Sequence, residues 1–435
     1  MAVIHKHLEQ YRQADPEFVA HVLRSLFVDD NVGGASSSTK AFQLYQKLKK
    51  VFQEAGLDLR KWRTNDEALQ ERINKAETQL GGDEVKISCK EIARILGILW
   101  DAQKDKFMVD LEEIYNEGRD IVITKQGVLH VIASIYDPIG IIALIVVTFK
   151  IFFQKIVRLK SEWGAVLPQE FQLEWVKLLE IIKPVQTFDV RRYYFGSFSL
   201  ESLKGFTLHG FCDASDAAYA AVIYIVAEAP DGQKVSNFIA AKTKVAPRKK
   251  LSTPRLELCA CLLLANLVEN VTKSLEGVIK IIRHVCWSDS LDALYWIKNT
   301  RKRRKVFVEN RAEKVRKKTK YWRYIPTDAN PADVASRGVR SARAVKVEFP
   351  RWIVGPELLK LDEEQWHEDL SSGAATQEHE VNDTTDITVN CTYDTDMEVI
   401  CLYVTDVTEK PVQKVKVFQG RERIDDVINA ENYSC

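Results

Sequence analysis

Phe211-Cys212-Asp213-Ala214-Ser215 closes an apolar stretch that begins at Gly205 and alternates with a period of two, and its reading decides the fold. Alternation of this kind is a strand, so Asp213 stands at the strand's end, where the backbone holds a carboxylate rigidly. Three later runs also place an acid at an element boundary. Pro254-Arg255-Leu256-Glu257-Leu258 opens a long helix, Trp287-Ser288-Asp289-Ser290 ends a second strand, and Asn330-Pro331-Ala332-Asp333 opens a last helix. Asp213, Glu257, Asp289 and Asp333 are therefore candidates for one site that binds divalent metal ions, which prefer hard oxygen ligands. Taken singly, each has a plainer reading: Asp213 as a turn or cap residue, Glu257 and Asp333 as first-turn acids facing a helix dipole.

The elements around these acids predict a mixed α/β sheet. Phe206 and Leu208, Tyr219 to Val226 and Asn237 to Lys242 read as three strands. Thr253 reads as a cap, with Pro254 at the first helical position and Leu256, Ala260, Leu263, Leu267 and Val271 on one face. Ile279 to Trp287 follows as a strand, Leu291 to Ile297 and Val306 to Val315 as helices, and Tyr321 to Ile325 as a final strand. The order is β-β-β-α-β-α-α-β-α, with five strands.

Upstream, the pattern predicts a helix around Pro16 to Leu23 and a hairpin of Leu26-Phe27-Val28 with Asn31-Val32, turning at Asp29 and Asp30. A helix follows over Thr39 to Ala55, with strands at Leu59 to Trp62 and Ala93 to Leu99. Thr124 to Leu179 is helical, broken at Tyr136-Asp137-Pro138-Ile139-Gly140, since proline lacks an amide donor and glycine tolerates unusual dihedrals. Beyond Leu370 the chain turns acidic and threonine-rich, which predicts a mostly disordered tail with a short strand near Val399 to Val404.

Composition bounds the rest. At 435 residues with 46% hydrophobic content, two or three domains are expected, and the net charge of +1 is uninformative. The eight cysteines show no paired C-x-x-C spacing, so reduced buried thiols are expected. The uninterrupted apolar run Ile139 to Phe149 is too short for a span of ~20 residues, so no membrane segment is expected. No secretory signal follows Met1, which predicts an intracellular protein, cytoplasmic (in a virus-like particle) or nuclear, and not secreted.

In order and spacing, these motifs resemble the polyprotein of BEL/Pao long-terminal-repeat retrotransposons over most of residues 20 to 360. Phe27-Val28-Asp29-Asp30 resembles the reverse-transcriptase palm motif. Leu59 to Trp62 and Leu96 to Asp101 resemble segments that follow it, and Tyr136 to Gly140 resembles the connecting region. Asp213 to Ser215, Pro254 to Leu258, Ser288 to Ser290 and Asn330 to Gly338 resemble the ribonuclease H domain. The resemblance implies a truncated palm and thumb over residues 1–120, a helical connection over 121–200, a ribonuclease H-like domain over 201–345, and a linker with the tail over 346–435.

It also implies the chemistry. The expected activity is endonucleolytic hydrolysis of the RNA strand of RNA/DNA hybrids with two Mg²⁺ or Mn²⁺ ions. Asp213 would bridge the ions, Glu257 and Asp289 would serve one, and Asp333 the other. The loop where cellular relatives often carry a histidine holds Tyr324-Ile325-Pro326-Thr327 here. The basic run Lys298 to Arg323, in particular Lys302, Arg303, Arg304, Lys305, Lys317 and Lys318, is expected to hold phosphates, although a solvated helix face has the same pattern. Other retroelement polyprotein segments are expected partners. Asp29 and Asp30 read as a polymerase remnant. Only 26 residues precede Phe27 and none forms an earlier strand ending in aspartate, so polymerization by this chain alone is not expected. Two alternatives accompany the nuclease reading. Asp213-Ala214-Ser215 loosely resembles an aspartic-peptidase loop, though Asp216 stands where glycine is needed, and the chain could be an inactive nucleic-acid-binding remnant.

Overall fold

The computed structural model of the protein describes residues 2–27, 30–80, 87–184, 187–196, 198–300, 304–371 and 412–416. A hairpin of β1 (Leu26–Phe27) and β2 (Asp30–Ala35) follows the Pro16–Ser25 helix, with Phe27 opposite Asp30. A second sheet is antiparallel throughout, in the order β3 (Ala93–Ile95), β4 (Ile98–Asp101), β5 (Lys106–Asp110) and β6 (Thr187–Arg191). β6 thus crosses the expected boundary near residue 120 to complete a sheet begun before it.

The third sheet has five strands: β7 (Lys204–Ala214), β8 (Ala218–Glu228), β9 (Lys234–Val245), β10 (Arg283–Ser288) and β11 (Trp322–Tyr324). Their order is β11-β10-β7-β8-β9. β7, β8 and β9 form an antiparallel meander, whereas β10 runs parallel to both β7 and β11. A parallel neighbour requires a crossover, which the Thr253–Leu275 helix supplies on its way from β9 to β10. That helix is long and apolar enough to cross a membrane by composition. Here it packs against β7 and β8 as the core helix of the sheet. A last strand, β12 (Val412–Lys416), pairs antiparallel with β2. The expected strand at residues 399–404 and the rest of the acidic tail lie outside the described residues.

Several local expectations are corrected. Ala93 to Leu99 is a tight hairpin rather than one strand, because Leu96 and Gly97 adopt φ of 48° and 83°, the left-handed pair that a two-residue turn needs. Leu59 to Trp62 is no strand. Lys61 has φ 57°, and the break lets both Leu59 and Trp62 turn into the same core. The position before the long helix is Ser252, with Thr253 already helical. β10 begins only at Arg283, four residues later than its apolar run suggests.

The Tyr136–Gly140 break has a physical purpose. Asp137 accepts hydrogen bonds from the amides of Ile141 at 2.7 Å and Ile142 at 2.9 Å, satisfying donors ahead of the Ala143–Val157 helix. Burial pushes its carboxyl up to about 6 despite those bonds. The Ile139 carbonyl accepts from Ala241 of the edge strand β9 at 2.8 Å. Gly140, at φ 80°, passes so close that an added Cβ would lie 2.2 Å from the Ala241 oxygen. The helical block is thereby bonded to the five-stranded sheet.

The chain from residue 346 to 371, expected as linker, also packs onto that sheet. The Ala342–Val354 helix sends Trp352 into the core, where its indole donates to the Ile141 carbonyl at 3.0 Å and its own carbonyl accepts from Tyr224 at 2.6 Å. Trp366 meets Trp287 edge to face at 5.2 Å between ring centres. Aromatic packing therefore carries the fold past the last acidic motif.

Candidate metal centre

β7 and β10 end side by side, with Ser288 in register with Cys212. Asp213, the penultimate residue of β7, and Asp289, just past β10, are consequently neighbours at one end of the sheet. The Thr253–Leu275 helix lies across β7 and brings Glu257, in its second turn, to the same end. One oxygen from each of Asp213, Glu257 and Asp289 lies within 4.8 Å of the other two. Asp213 and Glu257 are buried and Asp289 is half-buried.

Removal from water and mutual repulsion set the electrostatics. Burial, reinforced by Asp289 and Asp333, pushes the Asp213 carboxyl up to about 7, against a lowering hydrogen bond from Ser336. Burial, then Asp213 and Asp289, push Glu257 up to about 10. Like charges this close cannot all ionise without a cation between them. Glu257 Oε2 is buried and makes no hydrogen bond. A buried carboxylate oxygen with no donor, beside two more carboxylates, fits a hard divalent cation such as Mg²⁺ or Mn²⁺, which takes all-oxygen ligands.

Asp333 stands apart from this trio. It opens the Ala332–Arg337 helix, and its Oδ1 pairs with Arg337 one turn along at 2.8 Å. Burial raises its pKa, Arg337 opposes that, and Asp289 adds to it, so the group feels the centre without joining its tightest cluster.

Polar side chains whose roles the sequence did not disclose hold these acids. Asn330, buried, donates to the Cys212 carbonyl at 3.0 Å and to Asp289 Oδ1 at 3.4 Å. Thr327 donates to Asp289 Oδ2 at 2.6 Å. Thr327 lies in the loop that carries Tyr324-Ile325-Pro326-Thr327 in place of a histidine, and that loop orients Asp289 instead. Ser336 donates to Asp213 Oδ2. The signal for Ser336 was its position three residues after Asp333 on a helix, which puts both on one face. Ser215, by contrast, sits in the β7–β8 turn, its amide bonded to the Ala218 carbonyl at 2.8 Å.

The basic run divides sharply. Lys302 and Arg303 lie outside the described residues. Arg304, expected at phosphates, instead donates to the carbonyls of Asn299 at 2.7 Å and Trp296 at 3.1 Å, closing the end of the Leu291–Lys298 helix. This corrects its assignment: a planar five-donor fork is better satisfied by converging carbonyls than left in water. Lys318 is paired with Glu269 on the core helix. Lys305 and Lys317 are exposed, Lys317 with Glu313 at 2.7 Å. Of the two acids expected as a polymerase remnant, Asp29 lies outside the described residues, and Asp30 is buried on β2.

Residues 124–290 match the family model of the Pao retrotransposon-like RNaseH-like domain. That span holds Asp213, Glu257 and Asp289, and the mixed α/β sheet is the fold expected of it. Among solved structures, the chain is similar to RNase H1 from the halophilic archaeon Halobacterium salinarum at 10% identity, covering 30% of this chain and 91% of that one with a TM-score of 0.21. The N-terminal RNase H domain of a Mycobacterium tuberculosis protein gives 10% identity, 33% and 99% coverage and a TM-score of 0.21. A foamy viral protease-reverse transcriptase, solved with an RNA/DNA hybrid, gives 12% identity over 54% of this chain and 29% of its own, with a TM-score of 0.33. No curated protein matches the chain.

Proposed function

We propose that the chain is a ribonuclease H-type nuclease that hydrolyses the RNA strand of RNA/DNA hybrids with a pair of divalent cations. The observation that carries this reading is the convergence of Asp213, Glu257 and Asp289, from two strand ends and a helix, to within 4.8 Å. Asp213 faces all three other acids and is the residue to bridge two ions. Glu257 and Asp289 would complete one side and Asp333, released from Arg337, the other. Bound ions of this kind supply an activated water, neutralise charge at phosphorus and stabilise the leaving oxygen. The protein's part is to fix the carboxylates: Asn330 and Thr327 orient Asp289, and Ser336 orients Asp213.

Hybrid binding would draw on exposed Lys305 and Lys317 at phosphates, with selection by helix shape and ribose 2′-hydroxyls rather than base sequence. Other segments of a retroelement polyprotein would supply the polymerase functions, in an intracellular setting.

The test is cleavage of an end-labelled RNA/DNA hybrid by the full chain in Mg²⁺ or Mn²⁺. Asp213→Asn and Glu257→Gln should each lower the rate at least ~100-fold, since a lost ligand removes several kcal/mol of charge stabilisation. Equal rates in wild type and both variants, or hybrid binding without any cleavage, would overturn the proposal, and casein cleavage blocked by an aspartic-peptidase inhibitor would replace it.

A further inference from the structure

The strand end bearing Asp213 and the helix bearing Asp333 are joined by two serines. Ser336 is wholly buried, and its hydroxyl lies against Asp213 Oδ2 and 3.0 Å from the Asp333 carbonyl. A hydroxyl carries one proton and can donate to only one of these acceptors at a time. When Asp213 is ionised, as a cation ligand must be, the charge-assisted bond is the stronger and takes the proton. Ser215, two residues beyond Asp213, returns the connection: its hydroxyl donates to the Ser336 carbonyl at 2.8 Å. The two bonds run in opposite directions between the β7–β8 turn and the Ala332–Arg337 helix.

The far side of that helix is gripped independently. The Val339 amide donates to the Thr148 hydroxyl of the Ala143–Val157 helix at 3.1 Å, and a Cβ on Gly338 would lie 2.4 Å from that oxygen. A six-residue helix pressed from both sides has little freedom to slide, so the serines define how its acid faces Asp213.

We infer that Ser336 is a positioning residue for cation binding, and that with Ser215 it sets the bearing of Asp213 relative to Asp333. This rests on the nuclease reading above. One oxygen of Asp213 is occupied by Ser336, which leaves Oδ1 as the less encumbered ligand and prevents the carboxylate from rotating. Mg²⁺ demands near-ideal octahedral geometry, so a freely turning carboxylate would bind it poorly.

The experiment uses the full chain with Ser336→Ala, Ser336→Thr and Ser215→Ala, and Asp213→Asn as reference. Mn²⁺ binding without nucleic acid is followed by the loss of free-ion paramagnetic resonance signal, beside the Mg²⁺ concentration at half-maximal hybrid cleavage and the melting temperature in chelator. Ser336→Ala should weaken Mn²⁺ binding and raise the Mg²⁺ requirement by about 10-fold or more, as loss of a ligand's supporting hydrogen bond does. Ser336→Thr should restore both and Ser215→Ala should show a smaller change in the same direction. A lower melting temperature with unchanged Mn²⁺ binding and Mg²⁺ requirement would make Ser336 merely structural and overturn the inference. If Ser336→Ala does not fold, Ser215→Ala and Ser336→Thr decide it, with wild-type ion binding in Ser215→Ala counting against. Wild-type protein that binds Mn²⁺ no better than Asp213→Asn would instead sink the nuclease reading itself.

Discussion

The acids and the bases of the RNase H-like part behave in opposite ways. Asp213, Glu257 and Asp289 are scattered along the chain yet bring oxygens within 4.8 Å of one another. The bases from Lys298 to Arg323 are crowded together in sequence, yet their side chains part company. Arg304 and Arg316 cap carbonyls, with Arg316 donating to Trp296 at 3.1 Å, and Arg311 lies 3.6 Å over the Phe307 ring. Lys305, Lys314 and Lys317 face water. Position at an element's end, set by sheet register, gathers side chains at one point; density of charge in the chain does not.

The comparison can be broken most forcefully at the acids. Asp213→Asn should abolish hybrid cleavage, whereas Asp333→Asn, outside the tight trio and paired with Arg337, should lose about tenfold less, measured as single-turnover rates. Equal losses would mean that the trio is not the heart of the centre. Among the bases, Arg304→Ala should cost roughly 2 kcal/mol in denaturant unfolding, as loss of a buried charged donor to several half-buried carbonyls does. Lys317→Ala should stay within about 0.5 kcal/mol.

A pH series sharpens the contrast. Without cations, Asp213 is held near 7 and Glu257 near 10, above the ~4 of carboxyls in an unfolded chain. The folded state therefore binds more protons than the unfolded chain from about pH 4 upward, so stability falls as pH rises through 7 and, for Glu257, on toward 10. In chelator, the melting temperature should drop from pH 5 to pH 8; Mg²⁺ should reverse the drop, and Asp213→Asn should make it shallower, leaving the part that buried Glu257 contributes. A melting temperature independent of pH over that range would refute the crowded-carboxylate picture. The smallest effect is expected at Lys305 and Lys317: replacing either with alanine should lower the slope of log affinity against log salt by about 1.

The acids were legible in sequence because strand alternation and helix-opening residues fix backbone positions, and backbone positions fix carboxylates. Asn330, Thr327 and Ser336 were hidden because their role is a contact between segments far apart in the chain. The arginines were hidden because lysine and arginine count alike in a charge pattern, while only arginine's fork suits converging carbonyls. The Leu96-Gly97 turn vanished inside a mostly apolar run, since Ile95, Leu96, Ile98 and Leu99 flank the glycine with no polar punctuation. Residues 346–371 read as linker because Pro350 falls inside their helix and their anchors, Trp352 and Trp366, are single aromatics without periodicity.

The bond from Ile139 to Ala241 sets a practical limit on dissecting this chain. A fragment trimmed to begin at residue 201 would keep every acid but strip the helical cover from β9, leaving the Ala241 amide without its acceptor and an uncovered edge open to pairing between molecules. It would also lose Thr148, which braces the end of the Ala332–Arg337 helix. Such a truncation should precipitate or form fibrils, and its silence in an assay would speak to the missing flank rather than to the chemistry.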